Sequence, residues 1–410
     1  MRIVIDYTPA VHQHAGIGRY TRGLVEALTR LDGDNAQRAL RTQGALRTQE
    51  ALRQYTLMVL GRAGAHFTPT ALPANFKLRH VPLSDRWATV LWYRLNLPLP
   101  VDLFTGRADL FHGPSFTLPP SFTPSLLTVH DLSFLRYPQG AHPALLAWLT
   151  KAVPRSLRRA RHVLADSEST RADLIQLMSI PAGQITVIGA GVDERFQPVT
   201  NAETLARARA RYRLPERFIL GVSTLEPRKN FTGLIAAFNQ LAKAVPRPAV
   251  ADFHLVIAGG KGWLYEDIFA AAEASPARER IHFPGFVADE DLPSLYSLAT
   301  LFAFPSHYEG FGIPVLEAMA CGTPVVSADN SSLPEVAGDA ALLVEACDTD
   351  ALATAMQRLL IDTSLREELI KRGFEQTKRF TWEGAARRLL GVYEEMAAAR
   401  PGYAARAGGG

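Results

Sequence analysis

Short apolar, β-branched runs alternate with helical stretches along nearly the whole chain, and the alternation starts twice. Runs such as Arg2–Asp6, Tyr55–Leu60, Leu110–Gly113 and Leu126–His130 are apolar at consecutive positions, not at every second one. A strand of that kind is buried on both faces, as in a parallel sheet covered by helices. Further strands are expected at Lys77–Pro82, His162–Asp166 and Gln184–Ile188, with helices at Gly18–Leu31, Pro143–Ala160 and Ser169–Leu177 between them. The pattern breaks at Gly191–Pro198, passes through a polar helix at Glu203–Tyr212 and resumes at Phe218–Val222. His254–Ala258, Arg280–Gly285, Leu301–Pro305, Pro324–Ala328 and Ala341–Val344 continue it. A chain of 410 residues exceeds one hydrophobic core. The expected fold class is therefore α/β with two domains, each a helix-covered parallel sheet, residues 1–198 and 199–380. The final helix, from Trp382 to Ala398, has no strand beside it and is expected to return to the first domain; 399–410 reads as a disordered tail.

Composition narrows the function. The 47% apolar and 20% charged content belongs to a folded globular chain. Two cysteines, Cys321 and Cys347, exclude zinc fingers and a disulfide framework and suit a reducing cytoplasm. No apolar run reaches 18 residues, and the opening MRIVIDYTPA is broken too early by Asp6 to be a signal peptide, so a cytoplasmic location is expected. Residues 1–200 carry 22 Lys/Arg against 14 Asp/Glu, whereas 201–410 carry 22 against 26. The basic first half suggests an anionic acceptor or membrane surface on that side. Basic motifs interleaved with aromatics are absent, which argues against nucleic acid. The near-repeat ALRTQG-ALRTQE-ALRQ at 39–54 has a six-residue period that makes no helical stripe, and reads as a surface duplication without chemistry.

The chemistry concentrates in residues 302–336. A strand ends at Pro305, and Glu309-Gly310-Phe311-Gly312 leads through Ile313-Pro314 into a helix that Gly322 stops. A glycine-flanked helix start suits phosphate. Two carboxylates there, Glu309 in the loop and Glu317 one turn into the helix, would repel phosphate unless they hold hydroxyls: a sugar at Glu309, a ribose at Glu317. The alternative is a solvated loop residue and an exposed helix residue. Arg228 and Lys229 follow the strand Phe218–Val222, where two cations can neutralise a departing diphosphate.

The form EGFGIPVLEAMACGTPVV, with seven residues between Glu309 and Glu317, resembles the signature of the retaining glycosyltransferases of family four, which have the GT-B fold. AGIGRYTRGL (15–24), TVHDLSFLRYP (128–138), ADSEST (165–170), GVDERFQP (191–198), LGVSTLEPRKN (220–230) and FTWEGAARRLLGVYEEM (380–396) resemble the other blocks of that family. The resemblance implies two Rossmann-like domains facing across a cleft, a nucleotide-sugar donor on the second and an acceptor on the first. It implies that the loop of Gly16 and Gly18 covers the donor diphosphate, that His130 contacts donor hydroxyls, and that the nucleoside lies against Gly259-Gly260-Lys261 and Gly285-Phe286-Val287. Gly310, Phe311, Gly312 and Ile313 complete the donor site. Taken alone, Gly16-Ile17-Gly18 is a partial dinucleotide fingerprint, His130 could equally be a satisfied structural histidine, and Arg19 either adds charge or forms a surface salt bridge.

The triplets Asp32–Asp34, Asp289–Asp291 and Asp348–Asp350 fit a metal-binding Asp-x-Asp pattern but read as helix caps, the first of them beside the repeat. No catalytic metal and no cofactor are expected; Arg228, Lys229 and the helix dipole supply the positive charge. No carboxylate is placed for double displacement, so the family's favoured path applies: attack on the face that the phosphate leaves, with that phosphate taking the proton. Glu309→Ala and Lys229→Ala are expected to cut activity with the fold intact. The family match points to mannose from GDP-mannose, with other hexoses and UDP donors close behind, and to a glycan or polyprenyl-diphosphate-linked acceptor in polysaccharide biosynthesis. The segment His142–Arg161, with Trp148 and Arg155, Arg158, Arg159 and Arg161, either lies on an anionic membrane or covers the sheet with a solvated basic face. A sugar-nucleotide epimerase and a non-catalytic binding subunit are the competing functions.

Overall fold

The computed structural model describes residues 1–13, 16–42, 53–61, 69, 71–243 and 252–399, and no side chain of 34–42. The duplication at 39–54 and the tail from 400 fall largely outside these residues. Among them are thirteen strands: β1 Arg2–Asp6, β2 Gln54–Leu60, β3 Phe76–Val81, β4 Leu110–Gly113, β5 Ser125–Val129, β6 Ala160–Ala165, β7 Ile185–Val187, β8 Phe218–Val222, β9 His254–Ala258, β10 Ile281–Gly285, β11 Leu301–Phe304, β12 Val325–Ala328 and β13 Ala341–Val344. They form two wholly parallel sheets, ordered β3-β2-β1-β4-β5-β6-β7 and β10-β9-β8-β11-β12-β13. In each sheet the chain grows outward from the first strand and then returns to pair on that strand's other side. The return creates a switch point, β1/β4 in one sheet and β8/β11 in the other, beyond whose strand ends ligands bind in folds of this class.

Contacts divide the chain into two compact units, one of 1–132, 148–191 and 382–410, the other of 133–147 and 192–381. The segment 133–147 thus packs with the second sheet although its chain neighbours belong to the first. Trp263 Nε1 donates to Gly140 O at 2.8 Å, and Tyr137 stacks on His307 with centroids 4.8 Å apart. The helix Trp382–Ala398 packs on the helix Ile17–Thr42 of the first unit, with Trp382 edge-on to Tyr20, and Arg388 Nε donates to Ile188 O at 2.9 Å. Each sheet is apolar on both faces: Ile3, Val4 and Ile5 in the first, and Ile219, Leu255, Leu301 and Val326 in the second, are almost completely buried. No helix among the described residues is long and apolar enough to cross a membrane.

Two local expectations are corrected. Asp32 is not a cap; it lies inside the helix Ile17–Thr42, buried, accepting from Tyr55 Oη at 2.8 Å and Arg53 at 2.9 Å. Asp291 stands at the start of the helix Leu292–Leu298 without capping it, and instead accepts from Arg211 and the Tyr212 hydroxyl. Asp348 does cap, accepting from Ala351 N at 2.8 Å. In the helix Pro143–Arg159, Trp148 is half-buried, meets Tyr93 edge-on and has its Nε1 buried. Arg155 and Arg159 are spent on the carbonyls of Tyr93 and Leu118, leaving Arg158 and Arg161 exposed.

His112 on β4 is buried between hydroxyls, Tyr393 at Nδ1 (2.8 Å) and Thr128 at Nε2 (2.9 Å). Burial, helped by the neighbouring His130, pushes its pKa down to about 3, so it folds neutral. A histidine with a depressed native pKa stabilises the fold above its unfolded pKa near 6.5, and that stability drains as pH falls. Between pH 7 and 5 it should cost about 2 kcal/mol. In urea unfolding, wild type should lose that much more than His112→Gln over this range; equal losses would contradict a neutral buried His112.

Candidate active site

The second unit assembles its site from loops that leave the carboxyl ends of β8, β11, β12 and β13. After β8 the chain runs extended through Glu226 and turns in the short 3₁₀ helix Pro227–Lys229. Asn230, at φ +55°, reverses the turn and spans two neighbouring loops, its Nδ2 donating to Pro305 O (3.0 Å) and Ala346 O (2.7 Å). After β11 the loop 305–312 is held by β12's loop: Glu309 N donates to Ser331 Oγ, and Ser332 Oγ donates to the carbonyls of Glu309 and Phe311. These clamps bring Glu309 between the two cations. Lys229 Nζ lies 2.6 Å from Oε1 and Arg228 Nη1 2.9 Å from Oε2.

The cluster is nearly sealed. Glu309 is 6% exposed and Lys229 9%. Burial alone would raise the Glu309 pKa, but the opposing charges of Lys229 and Arg228 outweigh it and hold the carboxyl at about 2. Arg228 is fixed from its other side by Glu226, buried, at 2.7 Å from Nη2, and by the Tyr308 carbonyl. Two carboxylates and two cations thus form one chain, Glu226–Arg228–Glu309–Lys229. The sequence reading found the cations and Glu309 but assigned them to different partners. Glu226 and Asn230 lie inside LGVSTLEPRKN, and Ser331 and Ser332 inside residues 302–336, but no local spacing marks their roles.

Gly312 opens the helix Ile313–Ala320 at φ +107°, with Pro314 at the second helical position. A Cβ there would lie 2.8 Å from Leu333 Cδ2, so the turn requires glycine. Gly310 and Phe311 are buried beside it, Phe311 edge-on to Phe380, while Ile313 is half-buried. Glu317 is 1% exposed and accepts from the Tyr296 hydroxyl at 3.1 Å, which excludes the exposed-helix alternative. At the end of β9, Gly260 has no neighbour where a Cβ would stand, and its carbonyl accepts from Leu225 N. The Val287 side chain is buried, whereas Phe286 beside it is exposed. Among the described residues no cluster of three or more His, Cys, Asp and Glu could hold a metal ion.

The first unit's switch point has its own arrangement. Gly16 (φ +53°) precedes the helix Ile17–Thr42, and a Cβ on Gly18 would lie 2.0 Å from Gln13 O, so the backbone of Gln13 packs directly on Gly18. His130, just after β5, is a satisfied histidine: Nδ1 is 2.7 Å from Asp166 Oδ2 and Nε2 is 2.8 Å from Pro114 O. Pro114 O can only accept, so Nε2 carries a proton, and the Asp166 carboxyl, whose own pKa burial raises, faces Nδ1. Burial opposes a charged ring, but Asp166 and the Pro114 carbonyl outweigh it and raise the pKa. Tyr20 and Phe116 meet the ring edge-on. A sugar hydroxyl would have to replace Pro114 at Nε2.

Burial also revises the expectation that Glu309→Ala and Lys229→Ala leave the fold intact. Removing one partner strands a buried charge, at about 3 kcal/mol. Urea unfolding at neutral pH should show each single variant destabilised by about that amount, and the double variant by clearly less than the sum. Additive losses would mean that the two charges are not coupled.

The sequence matches the family Glycosyl transferases group 1 over residues 203–376 and Glycosyltransferase Family 4 over 15–196. It is 35% identical to the O-antigen chain mannosyltransferase B of Escherichia coli over 286 residues, 70% of this chain and 74% of that one. It is 34% identical over 232 residues to the serotype-specific mannosyltransferase WbdA of Escherichia coli, covering 56% of this chain but 28% of that longer protein. Among solved structures, the sucrose-phosphate synthase of Thermosynechococcus elongatus superposes with a TM-score of 0.70 at 23% identity, over 98% of this chain and 100% of that one. The glycosyltransferase WaaG of lipopolysaccharide biosynthesis does so with 0.67 at 15%, over 96% and 99%. With two parallel-sheet domains and matches along almost its full length, the chain belongs to the group 1, family 4 glycosyltransferases of the GT-B fold.

Proposed function

We propose that the chain moves a hexose, mannose from GDP-mannose, to a lipid-linked glycan acceptor in polysaccharide biosynthesis, with retention of configuration and without a divalent metal. The observation that carries this reading is the Arg228–Glu309–Lys229 cluster at the β8/β11 switch point, beside the glycine-opened helix Ile313–Ala320. The choice of mannose draws on the mannosyltransferases among its relatives.

Glu309 pairs with both cations. An incoming diphosphate competes for them, and charge-assisted contacts to Arg228 and Lys229 then stabilise the negative charge that grows as the glycosyl bond breaks. The carboxylate so released is free to accept sugar hydroxyls and to stabilise the positive charge developing on the ring. The leaving phosphate takes the proton of the attacking acceptor hydroxyl on the same face. Metal independence is supported by the triplet aspartates: Asp32 and Asp291 are held by Arg53 and Arg211, and Asp348 is committed to its helix cap.

Incubation with GDP-mannose, UDP-glucose and UDP-N-acetylglucosamine, a polyprenyl-diphosphate-linked glycan acceptor, and EDTA in parallel tests all parts. The expected result is transfer from GDP-mannose alone, unaffected by chelator, with the donor's anomeric configuration in the product by NMR. Transfer from no donor, loss with EDTA, inversion, or interconversion of the nucleotide sugar without acceptor would overturn it. Glu309→Gln should lower kcat by about 100-fold or more while leaving GDP binding equal or tighter, because it frees the cations without removing them.

A further inference from the structure

Glu309 joins Arg228 to Lys229, and a diphosphate that displaces it must find the two cations still side by side although like charges repel. Any tie that keeps them so has to bypass Glu309. The segment 133–147, which packs with the second unit, supplies one from outside the loops already described. Its short 3₁₀ helix Pro138–Gly140 brings the buried Gly140 up to the cation turn. A Cβ built on Gly140 would lie 3.5 Å from Arg228 N and 2.3 Å from Cε1 of the Tyr137 ring, so only glycine leaves that ring its place. The Gly140 carbonyl accepts from Trp263 Nε1 at 2.8 Å. The turn before Trp263 is in turn zipped to the arm that carries Glu226: Leu225 N donates to Gly260 O at 2.9 Å and Gly262 N to Leu225 O at 3.0 Å.

The Tyr137 ring stacks on His307, with centroids 4.8 Å apart and planes 25° from parallel. His307 N donates to Arg228 O at 2.8 Å, and Cys347 Sγ lies 4.0 Å from His307 Nδ1. Burial lowers the His307 pKa, so at neutral pH the ring brings no third positive charge to the turn. The Arg228 backbone is therefore met at its nitrogen by Gly140 and at its carbonyl by His307, and Tyr137 touches both of these partners. We propose that Tyr137 and Gly140 are positioning residues for the donor: they clamp the Arg228 backbone so that the two cations stay in place when a diphosphate takes the position of Glu309. The inference rests on the reading of Arg228 and Lys229 as the diphosphate's partners.

Calorimetric titration of the full chain with GDP and with GMP tests it, because the comparison isolates the contacts to the second phosphate. Wild type should bind GDP more tightly than GMP. Tyr137→Ala should weaken GDP binding by about fivefold to tenfold and GMP binding by clearly less. Tyr137→Phe, which keeps the stack, should restore the wild-type values, and Gly140→Ala, which pushes the ring aside, should reproduce Tyr137→Ala. Unchanged GDP binding in Tyr137→Ala and Gly140→Ala would overturn the proposal. So would equal losses for GDP and GMP, the mark of a purely structural role, or a Tyr137→Phe as weak as Tyr137→Ala. If wild type binds UDP in place of GDP, the same series with UDP and UMP decides the clamp by the same criteria, and only the guanosine donor falls. A wild type that binds neither diphosphate removes the donor reading and the clamp together, a failure visible before any variant is made.

Discussion

A carboxylate withdrawn from water costs several kcal/mol unless opposite charges and hydrogen bonds replace the solvent. Glu309 meets that condition with two cations from one turn, Arg228 and Lys229, and the second unit's site is built around keeping them together. The strand order supplies the first requirement by placing β8 next to β11, so that residues some eighty positions apart leave the sheet side by side. Asn230, Ser331 and Ser332 supply the second by pinning the loops to one another. Glu226 supplies the third by holding Arg228 from behind. The resulting cluster is neutral in itself, which lets positive charge be stored under low exposure and exchanged for a phosphate.

The first unit shows the same principle with two histidines close in the sheet. His112 sits between two hydroxyls, which can serve a neutral ring, and stays uncharged. His130, a short distance along the neighbouring strand's end, has a carboxyl and a carbonyl as partners, and they raise its pKa. Burial opposes protonation of both; only the partner differs. Opposite pKa shifts in one sheet follow from chemistry contributed by other elements, Tyr393 from the last helix and Asp166 from the end of β6.

The strands were legible because parallel strands buried on both faces appear as unbroken apolar runs; β1, β4, β8, β9 and β13 begin and end where the runs do. The site's location was legible for a related reason: Gly312 and Pro314 punctuate the helix start, and the cations follow a strand end. What stayed hidden was partnership across distance. Asp32 looks like a cap until Tyr55 and Arg53 come beside it. Arg228 and Lys229 look free for phosphate, and nothing in their spacing shows that Glu309 already holds them. The packing of 133–147 with the second unit has no local signature, since it depends on Tyr137 and Gly140 meeting His307 and Trp263.

The central claim is that Glu309 and a donor diphosphate compete for the same two cations. The most direct test is a crystal structure of the chain with GDP bound. The account predicts phosphate oxygens within hydrogen-bond distance of Arg228 and Lys229, and a Glu309 carboxylate that has left at least one of them. A diphosphate seated elsewhere, with both ion pairs to Glu309 intact, would contradict it.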